Sequence, residues 1–189
     1  MNIMAVFVVN TTAILLIVLI AVVAAVAILS RQFTRSKRLR ERFGPEYDRT
    51  VKETGARRNA EAKLERLEQR VERLHIRPLE PVERVNFEKS WLQIQAGFVD
   101  NPNGAVLDAD RVLGEVMSVE GYPVRDFEQR AADISVDHPR VVENYREGHR
   151  IALLQKQGRA STEDLRKAMI HYRTLFDDLI GHPIQREHS

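Results

Sequence analysis

The residues of this chain best suited to chemistry sit in one stretch, SVDHPRVVENYREGH, from Ser135 to His149. It packs an Asp, two His, two Glu and a Tyr into fifteen residues. Asp137 beside His138 is the pairing of an acid–base dyad, and Ser135 offers a hydroxyl nearby in sequence. Adjacent residues rarely face one another productively, so a hydrolase built on this corner lacks a convincing nucleophile. His149 and His171 come level if the last two helices pair antiparallel about Gly158, and two His begin a metal site. His171 then lies about 100° off the apolar face of its helix. No third ligand has an obvious place, and no H-E-x-x-H occurs. A small-ligand or metal-binding bundle would gather Tyr145, His149 and Tyr172, which otherwise read as ordinary core. DNPNGAVLDAD resembles a calcium loop only until Gly104 is set at its sixth position. Val99 then falls where a carboxylate is required and Asp110 where Glu belongs, so the stretch reads as a helix–helix turn. There is no phosphate-binding Gly loop. The motifs imply no catalytic residue, no cofactor and no metal, and point to a non-enzymatic protein.

Without a reaction to serve, the same fifteen residues read as the start of a helix. Pro139 suits a first turn, with Asp137 or His138 as its cap. Val141, Val142, Tyr145, His149, Ala152 and Leu153 then share one face. After KQGRA, Ser161 and Asp164 form a variant of the capping box. Leu165, Met169, Tyr172, Phe176 and Leu179 line the last helix, which Gly181 and Pro183 close. Earlier, Phe87, Trp91, Ile94 and Phe98 line a helix starting near Pro81. Val106, Ala109, Leu113, Val116 and Met117 line another that Gly121 ends, and Phe127 and Ala131 mark a brief one. No stretch alternates as a strand does. The expectation is all-α, with a compact bundle of about five helices over 79–182 and a loose tail over 183–189.

The elements that carry this domain are more distinctive than its motifs. Residues 13–29, AILLIVLIAVVAAVAIL, are 17 consecutive apolar residues, and Thr11 and Thr12 extend the uncharged run to 19. As a helix that is roughly 28 Å, close to the thickness of a bilayer core. Residues 1–30 therefore read as a single transmembrane anchor rather than a buried core helix. A cleaved signal peptide is the rival, since Ala25–Val26–Ala27 resembles a cleavage site. Against it, the run is longer than a usual signal core and no Lys or Arg precedes it. Six cations follow within residues 31–44: Arg31, Arg35, Lys37, Arg38, Arg40 and Arg42. Basic flanks stay in the cytoplasm, which sets the N-terminus outside and the soluble domain inside, at a plasma (inner) membrane. These cations also suit anionic head groups, with Phe33, Leu39 and Phe43 dipping into the interface.

Beyond that collar the charge reverses. Setting aside those six cations and Glu41 leaves 23 cations and 26 anions from Phe43 onward, a net of −3. A nucleic-acid partner loses its basic face. The absence of Cys excludes disulfides and thiolate chemistry and fits a reducing compartment.

Gly44 and Pro45 punctuate the chain, and a charged stalk helix is expected over 45–78, with Gly55 weakening its first turns. In it Ala60, Leu64, Leu67, Val71 and Leu74 step by 4, 3, 4, 3 as a narrow seam between acidic and basic flanks. In a parallel homodimer Lys63 would face Glu68 of the partner subunit. Fewer than three heptads favours a seam packed on its own domain. Ala21 and Ala25 are a small-xxx-small pair in the span.

The phrases RLRERFGPEYDRTV, LHIRPL, FEQRAADISVDHPRVVENYR and STEDLRKAMIHYRTLFDDL resemble an uncharacterised family of small bacterial proteins. Each has an N-terminal apolar segment and a helical remainder, and they are often labelled as secreted or membrane proteins. The resemblance implies a bacterial source and no particular activity. The expected function is a membrane-tethered helical interaction or scaffold module that binds the membrane, and a protein partner or a second copy of itself.

Overall fold

The computed structural model describes the backbone of residues 3–181 and the side chains of residues 15–181; the expected loose tail lies outside the described residues. Eight α-helices and no strand occur among them. They are α1 (Ile3–Phe43), α2 (Pro45–Thr54), α3 (Arg57–Glu72), α4 (Pro81–Gly97), α5 (Pro102–Glu120), α6 (Phe127–Ile134), α7 (Val142–Lys156) and α8 (Thr162–Gly181). The chain divides into two compact units, one ending at Glu41 and the other starting at Arg42.

In the first unit, α1 runs without a break from the apolar stretch through the basic one. From Leu15 to Leu29 every residue is exposed, all the way round the helix. A core helix of a soluble protein is covered on at least one side, whereas this one presents aliphatic surface in every direction. It is long and apolar enough to cross a membrane. Ser30 Oγ donates to the Ala27 carbonyl at 3.0 Å and Thr34 Oγ1 to the Ser30 carbonyl at 2.9 Å, so the first polar residues bond back to the helix and let it continue. Phe33 is 73% exposed. Phe43, in the second unit, is fully buried and so does not dip into an interface as expected.

In the second unit the expected single stalk is two helices. Gly55 takes φ +67, a left-handed conformation that ends α2, and its N–H donates to the Val51 carbonyl at 3.0 Å. The chain reverses and α3 packs back on α2, where Tyr47 OH donates to Glu61 Oε1 at 2.9 Å. Ala60, Leu64 and Val71 are buried within the chain itself, Leu67 and Leu74 are half-buried, and Leu74 lies beyond the end of α3. Lys63 reaches Glu53 at 3.4 Å and Glu68 reaches Arg42 at 3.1 Å. The seam's apolar residues and flanking charges are thus engaged by the protein's own packing, as so short a repeat favours.

Ion pairs tie this hairpin to α6 and α7. Arg70 meets Asp133 of α6, which is fully buried, at 3.1 Å. Arg146 of α7 meets Glu46 of α2 at 2.9 Å and Glu128 at 2.6 Å. The bundle of about five helices is therefore an underestimate, because what looked like a stalk folds into the packed unit.

The core lies between α5, α7 and α8, filled by Val106, Leu113, Met117, Ile151, Leu165 and Leu175. Trp91 of α4 stacks on Phe176 with ring centroids 4.5 Å apart. Several ends are set locally. Glu80 and Glu83 form a reciprocal cap on α4. Two hydrogen bonds from Arg77 and one from the Glu80 backbone hold the Glu83 carboxyl down at about 2. Ser161 and Asp164 cap α8 reciprocally, as expected (Asp164 N–H to Ser161 Oγ 3.1 Å, Ser161 N–H to Asp164 Oδ2 3.0 Å).

Helix α7 departs from expectation. It starts at Val142, and residues 135–141 form turns, so Pro139 precedes the helix and neither Asp137 nor His138 caps it. Leu153 is 44% exposed, and Ile151 is buried instead.

Candidate functional site

The stretch from Ser135 to His149 is held by tertiary partners. Asp137 accepts from Tyr122 OH at 2.7 Å, and His138 Nδ1 lies 2.6 Å from Asp178 Oδ2 of α8. Ser135 Oγ donates to the Ala132 carbonyl at 2.6 Å. The three side chains of the imagined hydrolytic corner point to three different partners, so no nucleophile–base contact forms.

The structure does bring Tyr145, His149 and Tyr172 together, around a residue that no motif singles out. Asp110 of α5 accepts from Tyr172 OH at 2.9 Å, and its Oδ1 lies 3.3 Å from His149 Nδ1. Phe127 of α6 stacks on the His149 ring at 3.6 Å and 7°. Arg130 lies 5.4 Å from the Tyr145 ring centre and 5.9 Å from that of Phe127. Four helices thus converge on one carboxylate. The close approach of α7 and α8 needs Gly148, since a Cβ there would stand 2.5 Å from Tyr172 Cε1. Asp110 did leave a signal. It falls at the apolar spacing Val106–Asp110–Leu113–Met117, and a carboxylate on that face requires buried partners.

Burial works to raise the Asp110 carboxyl, but the hydrogen bonds and charge of His149 and the bond from Tyr172 outweigh it and hold it low. The Tyr172 phenol is pushed up, first by burial and then by Asp110. The Tyr145 phenol is pushed up chiefly by burial. Both phenols therefore stay neutral at neutral pH, and with Tyr172 OH donating to Asp110 beside His149 the cluster acts as a polar pin between α5, α7 and α8. Tyr172→Phe should lower the stability of the folded unit by about 1–2 kcal/mol in denaturant unfolding, because half-buried Asp110 is left with one donor fewer. A loss below about 0.3 kcal/mol would show that Tyr172 is no part of the pin.

Surface grooves lie elsewhere. One of about 360 Å³ runs between α4 and α5 past Gln93, Asp108 and Arg111. One of about 370 Å³ passes Glu46, Arg49, Arg70 and Arg146. A third of about 210 Å³ lies between Phe98 and Met169. None is lined by Asp110, Tyr145, His149 or Tyr172. His171 pairs with Asn144 at 2.9 Å, apart from His149, and no three His, Asp or Glu among the described residues group as metal ligands.

In the collar, Arg31, Lys37, Arg38, Arg40 and Arg42 are exposed and Arg35 is half-buried. Lys37 pairs with Glu41 at 3.9 Å.

Fold and site together define an all-α protein with one N-terminal helix apolar enough to be a membrane span or a signal sequence. No family model, curated protein or solved structure matches the chain.

Proposed function

We propose that the protein is a non-enzymatic, single-pass helical interaction module of a bacterial inner membrane, with its N-terminus outside and the Arg42–Ser189 unit in the cytoplasm. One observation carries this reading. An aliphatic helix exposed on every side passes without interruption into a helix bearing Arg31, Arg35, Lys37, Arg38, Arg40 and Arg42, while residues 1–12 hold no cation. Cations next to a span stay on the cytoplasmic side. An anchor is favoured over a cleaved signal because Ala25–Val26–Ala27 is mid-helix. Ser135, Asp137 and His138, which looked fit for chemistry, are each engaged by a separate structural partner, which supports binding over catalysis.

Reporters fused after Ser189 in bacterial cells test the orientation. A fluorescent protein that matures only in cytosol should glow, and a phosphatase active only outside the inner membrane should stay silent. The opposite pattern overturns the assignment, and release of the mature chain into the medium replaces the anchor with a signal sequence.

A further inference from the structure

Helix α4 carries two apolar faces. One holds buried Trp91 with half-buried Phe87, Ile94 and Phe98 against the core. The other is exposed: Val82 is 72% exposed, Val85 46%, Leu92 64% and Val99, in the turn that follows, 85%. Ala96 and Lys89 lie in the same stripe and are exposed too. A surface helix ordinarily turns one apolar stripe inward and polar groups outward. This second stripe covers on the order of 400 Å², the size of patch that marks an interaction site on a monomer.

Its spacing identifies the kind of occupant. Val82, Val85, Lys89, Leu92, Ala96 and Val99 step by 3, 4, 3, 4, 3, the a and d positions of a heptad. That is a narrow helix–helix seam, where a lipid-facing helix would show a wide apolar face with basic borders. The borders here are Asn86 and Gln93 on one side and Glu88 and Gln95 on the other, so the stripe's one cation, Lys89, stands in the middle of the seam and not along its borders.

We propose that this face is a homodimer contact in which the α4 helices of two copies pack antiparallel about a two-fold axis between Ser90 and Trp91. The stripe is self-complementary in that register. Val82 meets the partner's Val99, Val85 meets the partner's Ala96, and the Lys89 stem covers the partner's Leu92 while its ammonium stays in water. A parallel pair would set Lys89 against the partner's Lys89 in the seam. Charge favours the antiparallel form as well. Glu88 and Lys89 make no ion pair among the described residues. The partner's Glu88 arrives beside Gln95, on the rim of the groove that Arg166, Ile170 and Arg173 of α8 share with Phe98. Among the described residues Arg173 is held by an exposed contact to Asp177 at 3.4 Å, which is cheap to exchange. The two-fold axis makes this exchange twice. The contact names a partner for the interaction module proposed above, yet it is read on purified protein whichever way the chain crosses the lipid.

The chain has no Cys, so single introduced ones report contacts directly. Full-length Val85→Cys and Ala96→Cys chains are mixed in mild detergent and oxidised. The expected product is the mixed disulfide, with little of either self-crosslink, since only opposed positions come within disulfide reach. Leu92→Lys, which sets a second ammonium against the partner's Lys89 at both ends of the seam, should raise the dimer dissociation constant at least about tenfold. Glu88→Arg should weaken the dimer, and adding Arg173→Glu should restore it. Circular dichroism matching the parent shows that each surface variant is folded. A dominant Val85→Cys self-crosslink, a chain that stays monomeric, or a label at Leu92 that is buried by anionic vesicles instead of a second copy each overturns the proposal.

Discussion

A chain carrying Glu120→Gln is expected to be several kcal/mol more stable than the parent at pH 9 and nearly equal to it at pH 4. Glu120 is the last residue of α5, is 1% exposed, and its Oε2 has no hydrogen-bond partner among the described residues. Burial pushes its carboxyl up to about 8, and the charge of Asp137 adds to this, while Arg77 and Arg84 pull the other way. The folded value lies above the ordinary 4.5, so the folded state holds a proton that the unfolded state gives up. Stability from the protonated group is therefore complete below about pH 4.5, is lost as pH rises toward 8, and is flat above that. At 1.36 kcal/mol per unit the swing is on the order of 5 kcal/mol. Gln keeps the shape and cannot ionise, so the variant should lose this part of the pH dependence. Denaturant unfolding of both proteins at pH 4, 7 and 9 measures it. A stability difference that stays constant across the range would mean that Glu120 titrates like an exposed carboxylate.

The next residue carries the second prediction. Gly121→Ala should destabilise the second unit by about 3 kcal/mol, lowering its midpoint temperature by roughly 6–12 °C. Gly121 sits at φ +102, a region that costs an L-residue about 1 kcal/mol. A methyl group there would also overlap the carbonyl oxygen of His75 and stand 3.2 Å from the His75 carbonyl carbon, so the two backbones must part, at about 1–3 kcal/mol. They cannot part freely. Arg77 N–H donates to the Glu120 carbonyl at 2.9 Å and Tyr122 N–H to the Met117 carbonyl at 2.8 Å, pinning both segments of the crossing. Gly158 is the internal control, with φ +67 and nothing within 4 Å of where an added methyl would stand. Gly158→Ala should cost only the conformational part, about 1 kcal/mol. Equal losses at the two glycines would refute the steric argument.

Sequence alone determined whatever depends on a residue and its near neighbours. Ala13–Leu29 reads as a possible span because every residue in it is apolar, and no distant partner is needed to know that. The break at Gly44, the start at Pro81, the stop at Gly121 and the Ser161–Asp164 cap are equally local, each settled within one helical turn. The tertiary structure decided everything that rests on distant pairs. Gly55 reads as a mild helix weakener until distant pairs such as Arg70 with Asp133 and Arg146 with Glu46 hold the folded-back stalk in the bundle. Asp137 and His138 read as caps because their real partners, Tyr122 and Asp178, stand 15 and 40 residues away. Asp110 entered the sequence reading only as a misfit in a calcium loop, and it is Tyr172, 62 residues on, that gives this half-buried carboxylate a donor. A side chain's chemistry is written in its own type, but whether that chemistry is buried and satisfied depends on which distant residues the fold brings within about 3 Å of it.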